Sequence, residues 1–228
     1  MLVNSNFSVA AAAGSADIEP LRTRPVGGTG KRVADLMIAA TSLVMLIPLM
    51  LIIAALIKLT MGGPVFYYQS RIGHNGKRFR CYKFRSMLAD ADKRLADLVA
   101  RDPEAAAEWT ETRKLKNDPR VTRFGQILRK SSLDELPQFY NVLIGDMSCI
   151  GPRPIVSEEI ARYGRYAPDY FSVRPGITGL WQVSGRSSLS YSRRIALDRY
   201  YVRRWSPLLD ASIALRTLKA VMSPDETS

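Results

Sequence analysis

Two adjacent acids, Asp134 and Glu135, are the residues in this chain best placed to do chemistry. Basic residues crowd them: Arg120, Arg123, Arg129 and Lys130 before the pair, Arg153 after it. Arginines near a helix start make an anion site. Acids in the same place suit such a site in two cases. A divalent cation bridges them to the anion, or one acid attacks a bound phosphate. Both are recurrent arrangements in phosphoryl transfer. A carboxylate at a helix N-terminus also tends to stay ionised. A structural reading competes: Ser132-x-x-Glu135 matches a capping box, and acids in a first turn favour the helix dipole. Other chemistries lack residues. His74 is the single histidine, and Gly73-His74-Asn75-Gly76 reads as a turn, which argues against a Ser-His-Asp triad or a His-based zinc site. Cys81 and Cys149 lie far apart and form no metal-ligand pattern.

The elements that must position the pair can be read around it. Pro64–Arg71 and Lys77–Met87 flank the Asn-Gly turn, a hairpin signal. Period-2 alternation puts Phe79, Cys81, Lys83 and Arg85 on one face, so Lys83 and Arg85 are expected to project together. A basic strand edge that discourages aggregation is the alternative. Leu88–Lys116 reads as two charged surface helices, with Asp102-Pro103 capping the second. Val121–Arg129 reads as a short helix, and a further helix is predicted from Ser132 to about Leu143. Two Gly/Pro loops follow, Gly145–Pro154 and Arg174–Gly179.

The net charge of +12 points to an anionic partner: nucleic acid, anionic lipid or a phosphorylated substrate. Leu36–Ile57 contains no charged residue. At ~1.5 Å per residue it would reach about 33 Å, close to a hydrocarbon core of ~30 Å. Pro48 near its middle should kink or break the helix. Positive charge flanks both ends: Arg22, Arg24, Lys31 and Arg32 before, and Lys58 through Arg85 after, with no acid between the last two. The positive-inside rule draws both flanks to the cytoplasm. A re-entrant helix satisfies proline and charge together, and a kinked spanning helix stands beside it as an equal reading. Near the C-terminus, Tyr200–Trp205 mixes aromatic and basic residues. The helix after Pro207 carries Leu208, Leu209, Ala211, Ser212, Leu215, Leu218 and Met222 largely along one side. It suits the membrane interface or, equally, packing on a core. The segment before Gly30 shows no amphipathic period and reads as a mobile tail; Val9–Ala13 is too short for a signal peptide.

Three stretches, KFRSM (Lys83–Met87), SLDELPQFYNVLIGDMSCIGPRP (Ser132–Pro154) and RPGITGLWQVSGR (Arg174–Arg186), resemble the bacterial sugar transferase family. These are the monotopic phosphoglycosyl transferases, and the resemblance covers roughly Lys31 to Val221. It implies an α+β, mainly helical fold. A small catalytic domain with a β-hairpin is joined by one Pro-broken re-entrant membrane helix and by interfacial amphipathic helices. The domains would be a tail (1–30), the membrane helix (31–60), a cytoplasmic catalytic domain (61–222) and a short tail (223–228). The implied reaction moves a hexose-1-phosphate from a UDP-sugar to polyprenyl (undecaprenyl) phosphate, releasing UMP through an aspartyl phosphosugar. This would initiate exopolysaccharide synthesis at the cytoplasmic face of the bacterial inner membrane. By motif position Asp134 matches the nucleophile, and Glu135 its partner at Mg2+, with Asp134 adjacent to the metal. Lys83, Arg129 and Arg153 match basic active-site residues, and Arg85 joins them as a substrate-binding candidate. Within the family the chain looks similar to short initiating transferases of acidic exopolysaccharides, some of which load galactose-1-phosphate. It departs at Ile47-Pro48, where some members have Ser-Pro; Thr41 and Ser42 are the nearest hydroxyls. The competing class is a membrane-tethered nucleic-acid or anionic-lipid binder. An acidic pair amid the basic cluster opposes nucleic acid, and no helix-turn-helix, RRM or zinc-finger pattern is present.

Overall fold

The computed structural model describes residues 24–88, 90–112, 115, 118–185 and 189–222. Most of the predicted N-terminal tail, to residue 23, and the C-terminal tail, 223–228, lie outside the described residues. The chain forms two compact units. One comprises Met1–Leu43, Gln69–Cys81 and Gln138–Ser228; the other comprises Val44–Tyr68 and Tyr82–Pro137.

Helix α1 (Gly28–Met61) contributes to both units. It starts inside the stretch read as a tail. The break expected at Pro48 is absent as an interruption, because Pro48 lies within one continuous helix. Proline deletes one i→i−4 bond, and the ladder resumes on either side; such sites bend helices more often than they end them. Among the described residues α1 is the one helix long and apolar enough to cross a membrane.

A hairpin follows, β1 (Phe66–Ile72) and β2 (Arg78–Phe84). Its turn is the expected one. Asn75 takes a positive φ of 57° and Gly76 one of 71°, and Gly73 N–H donates to Lys77 O at 2.8 Å.

The second unit adds α2 (Ala91–Arg101), α3 (Pro103–Thr112) and α4 (Arg123–Lys130). Asp102 caps α3, its Oδ1 accepting from Glu104 N and Ala105 N. The core of this unit joins Ile53 and Ile57 of α1 to Phe84 and Leu128.

In the first unit, α5 (Gln138–Ile144) leads into β3 (Ser148–Ile150), which pairs in parallel with β4 (Gly176–Thr178). Between them lie α6 (Ile160–Tyr163) and α7 (Ala167–Phe171); α8 (Tyr191–Arg204) and α9 (Pro207–Met222) close the fold. One cluster packs Ala39 of α1 with Phe79, Val142, Met147, Tyr201 and Ile213. A second gathers Ile72, Ile155, Tyr163, Tyr170 and Ile195. Helix α9 is two-sided. Ile213 is fully buried and Leu209 packs on the core, while Leu208, Leu215 and Leu218 are exposed on one stripe.

Candidate active site

The acidic pair sits on the turn between α4 and α5. Thr122 caps α4 by accepting from Gly125 N at 2.9 Å. Helix α4 lies against the chain leaving β2. A Cβ on Gly125 would fall 1.9 Å from Ser86 O, so only glycine allows this approach. After α4, Ser132 turns the chain in the left-handed region (φ 57°). Leu133–Glu135 then form a single 3-10 turn, and α5 begins at Gln138.

This corrects two expectations. The helix predicted from Ser132 to Leu143 is divided, because Pro137 supplies no N–H at the junction. The capping box does not form either. Ser132 makes no side-chain cap bond, and Glu135 turns to Lys83 instead.

Lys83 Nζ lies 2.5 Å from Glu135 Oε1 and 3.8 Å from Asp134 Oδ2. The Asp134 side chain is 8% exposed and that of Glu135 33%, so the first acid is buried and the second half-buried. Burial pushes the Asp134 carboxyl up to about 6, opposed by the Lys83 charge, assisted by Glu135 and opposed again by Arg129. The helix start expected to favour the ionised form does not prevail, because one 3-10 turn offers little dipole and the carboxyl is desolvated, so its pKa rises. Arg129, exposed in the last turn of α4, still bears on Asp134 through its charge.

The other basic residues part company. Arg120 is buried, donates to both Asp118 oxygens (2.8 and 2.7 Å) and lies over the Trp109 ring, so its charge is compensated locally. Arg85 and Lys83 meet different partners: Lys83 reaches the acidic pair, while the Arg85 guanidinium, one residue past the end of β2, donates to the carbonyls of Met61 and Gly62 at the end of α1.

Arg153 belongs to the first unit, exposed on the loop after β3. The loop is pinned by Tyr170, whose hydroxyl donates to Ile72 O (2.8 Å) and accepts from Ile155 N (3.2 Å). Arg71 lies close enough to Arg153 that its pKa falls, through burial first and the Arg153 charge second. Sequence reasoning missed Tyr170 and Gly125, whose importance rests on contacts distant in sequence. It counted Arg71 only as flanking charge.

The sequence pattern of bacterial sugar transferases matches residues 26–224. The chain belongs to the bacterial sugar transferase family. It is 49% identical over 198 residues to the exopolysaccharide production protein ExoY of Sinorhizobium fredii, covering 87% of this chain and 88% of the relative. It is 47% identical over 196 residues to the undecaprenyl-phosphate galactose phosphotransferase of Salmonella typhimurium, covering 86% of this chain but 41% of that protein. A UDP-glucose:undecaprenyl-phosphate glucose-1-phosphate transferase of Klebsiella pneumoniae is 37% identical over 212 residues, or 88% and 42% of the two chains. This bacterial sugar transferase is therefore an enzyme. The 3-10 turn with Asp134 and Glu135 falls inside the matched region, as do Lys83, Arg129 and Arg153.

Proposed function

We propose that the protein transfers a hexose-1-phosphate from a UDP-sugar to polyprenyl phosphate, with Asp134 as nucleophile. The observation that carries this reading is the Lys83–Glu135–Asp134 cluster: a buried carboxyl raised to about 6 beside a lysine and a second acid. Such a carboxyl is mostly ionised at neutral pH, yet only weakly solvated, which suits a nucleophile. Asp134 Oδ attacks the sugar-linked phosphorus; the new O–P bond forms as the bond to UMP breaks, and UMP departs with the electron pair. A phosphate oxygen of the polyprenyl phosphate then attacks the same phosphorus. The aspartyl–phosphorus bond breaks, the carboxylate returns, and a polyprenyl-diphosphate sugar leaves. Lys83 and Arg129 supply positive charge where phosphate oxygens gain negative charge.

Magnesium fits the residues present in a limited sense. No cluster of three or more acids, histidines or cysteines exists among the described residues. Mg2+ commonly needs only one or two carboxylates, completed by substrate phosphates and water. Glu135 and Asp134 would hold it, where the Lys83 ammonium now marks a place for positive charge. When bound, it neutralises charge on the transferring phosphate.

The re-entrant reading of α1 gains support from its ends. Lys31 pairs with Asp210 at 2.7 Å, Arg32 donates to Val142 O and Leu143 O, and Asp35 accepts from Ser148 Oγ and Cys149 N at 3.0 Å each. All these partners follow Met61, and no later helix among the described residues is long and apolar enough to cross. The start of α1 packs on chain that follows Met61 in sequence, which supports the re-entrant reading; that reading needs a bend within the 34-residue helix, and Pro48 is the residue suited to supply it. Basic flanks make that side cytoplasmic. The exposed stripe of α9 suits the same lipid surface, since Asp210 in its first turn holds Lys31 just before the apolar run. Galactose is the proposed sugar: relatives named for galactose are 47% and 44% identical, against 37% and 40% for two named for glucose.

The test is product analysis with a panel of UDP-sugars, Mg2+ and short polyprenyl phosphate. UMP and lipid-linked galactose phosphate are expected from UDP-galactose. Release of UDP in place of UMP would mean plain glycosyl transfer and overturn the proposal.

A further inference from the structure

Arg85 is a buried guanidinium of the second unit. It is 6% exposed, its Nε and Nη1 have no hydrogen-bond partner, and none of the ion pairs among the described residues includes it. A buried, partly unpaired guanidinium is destabilising. What it does contact is the end of the apolar helix: Nη2 donates to Met61 O and Gly62 O. These are the orphan carbonyls at the negative end of the dipole. The chain leaves α1 through two left-handed glycines, Gly62 (φ 60°) and Gly63 (φ 63°). A Cβ on Gly63 would come within 2.7 Å of Arg85 Nη1, so glycine there makes room for the guanidinium. Lys58 Nζ holds Gly63 O at 3.1 Å.

The backbone on either side of Arg85 reaches the chemistry. Two residues earlier Lys83 meets the acidic pair. Arg85 N–H donates to Val65 O at 2.9 Å, and Ser86 O accepts from Thr122 N at 3.4 Å, beside the close approach of Gly125. Lys83 lies about 7 Å from Arg85 along an extended chain. Two residues of extended chain thus link the helix exit to the lysine.

We propose that Arg85 is a positioning residue. It ties the strand carrying Lys83 to the exit of the apolar helix and so sets the depth of Asp134 and Glu135 relative to the membrane surface. For its activity assay this rests on the phosphosugar-transfer reading. A substrate-binding role for Arg85 is replaced by one exerted through the helix end.

The test uses the full chain in lipid nanodiscs, as parent, Arg85→Gln and Gly63→Ala; the second displaces the guanidinium while keeping its charge. Three quantities are measured. The first is the burst of UMP from UDP-galactose without acceptor, and the second is transfer to bilayer-embedded polyprenyl phosphate. The third is the depth of a fluorophore on Lys130→Cys, read by quenching from lipid-borne quenchers. Lys130 is exposed and both native cysteines are buried, so labelling is selective. Both variants are expected to keep the burst within about twofold. They should lose roughly 10- to 100-fold in bilayer transfer, as a misplacement near 1 Å does, and shift the fluorophore's depth. Unchanged depth overturns the proposal, as does an equal loss in burst and transfer, the mark of a merely structural role. Loss of the burst at unchanged depth instead assigns Arg85 to the donor and also overturns it. If the parent gives no burst, the phosphosugar reading fails, and the depth measurement alone decides Arg85.

Discussion

Replacing Asp134 with Asn should inactivate the enzyme while making it more stable at neutral pH. The folded-state pKa of Asp134 rises from 3.8 to about 6 because the carboxyl is buried. A raised acid pKa means the fold disfavours the ionised form. This cost is absent below the unfolded pKa, grows as pH climbs from 3.8 towards 6, and is complete by pH 7.5. At ~1.4 kcal/mol per pH unit it amounts to about 3 kcal/mol as an upper bound. Asn has nearly the same shape and no charge, so Asp134→Asn escapes the cost. With roughly 2–4 °C of Tm per kcal/mol for a chain of this size, the variant should melt about 5–10 °C higher at pH 7.5. Thermal melts of parent and variant from pH 4 to 8 check this, with phosphotransfer measured on the same samples. The gain should shrink towards zero near pH 4, while transfer stays abolished at every pH. A variant that melts lower at pH 7.5, or a difference independent of pH, would refute the electrostatic reasoning. Retained turnover would remove Asp134 as nucleophile.

Glu135→Gln should lower transfer by ~100-fold or more, since a metal-holding charge is lost, with little change in Tm because no capping box depends on it; activity and Mg2+ titration on one preparation check both. Gly125→Ala should destabilise the fold by about 1–3 kcal/mol through overpacking against Ser86 O, read by denaturant or thermal melts. For topology, Arg24→Cys should resist a membrane-impermeant thiol reagent in intact cells and label once they are opened; labelling in intact cells would mean that α1 spans.

Part of the candidate site was legible because it is local in sequence. Asp134 and Glu135 adjoin in sequence, and acids amid arginines already suggest phosphate chemistry. The hairpin turn was legible because Asn75 and Gly76 tolerate positive φ, and α3 because Asp102-Pro103 admits few other readings. Ser132 was misread since Ser-x-x-Glu is the pattern of a capping box, and nothing local says that Lys83, more than forty residues away, will claim Glu135. The partners of Arg85 were not legible, because the carbonyls of Met61 and Gly62 that it meets lie more than twenty residues away in sequence. The pinning of Arg153 by Tyr170 and of α1 by Asp210 are long-range contacts that no periodicity encodes.

The central claim is a covalent phosphosugar on Asp134, and intact-protein and peptide mass spectrometry tests it most directly. Purified enzyme incubated with UDP-galactose and Mg2+, without acceptor, should gain the mass of one hexose phosphate. The adduct should map to the peptide containing Asp134 and vanish on adding polyprenyl phosphate. Transfer that proceeds only when both substrates are present, with no adduct trapped on the protein and no UMP released beforehand, would contradict it.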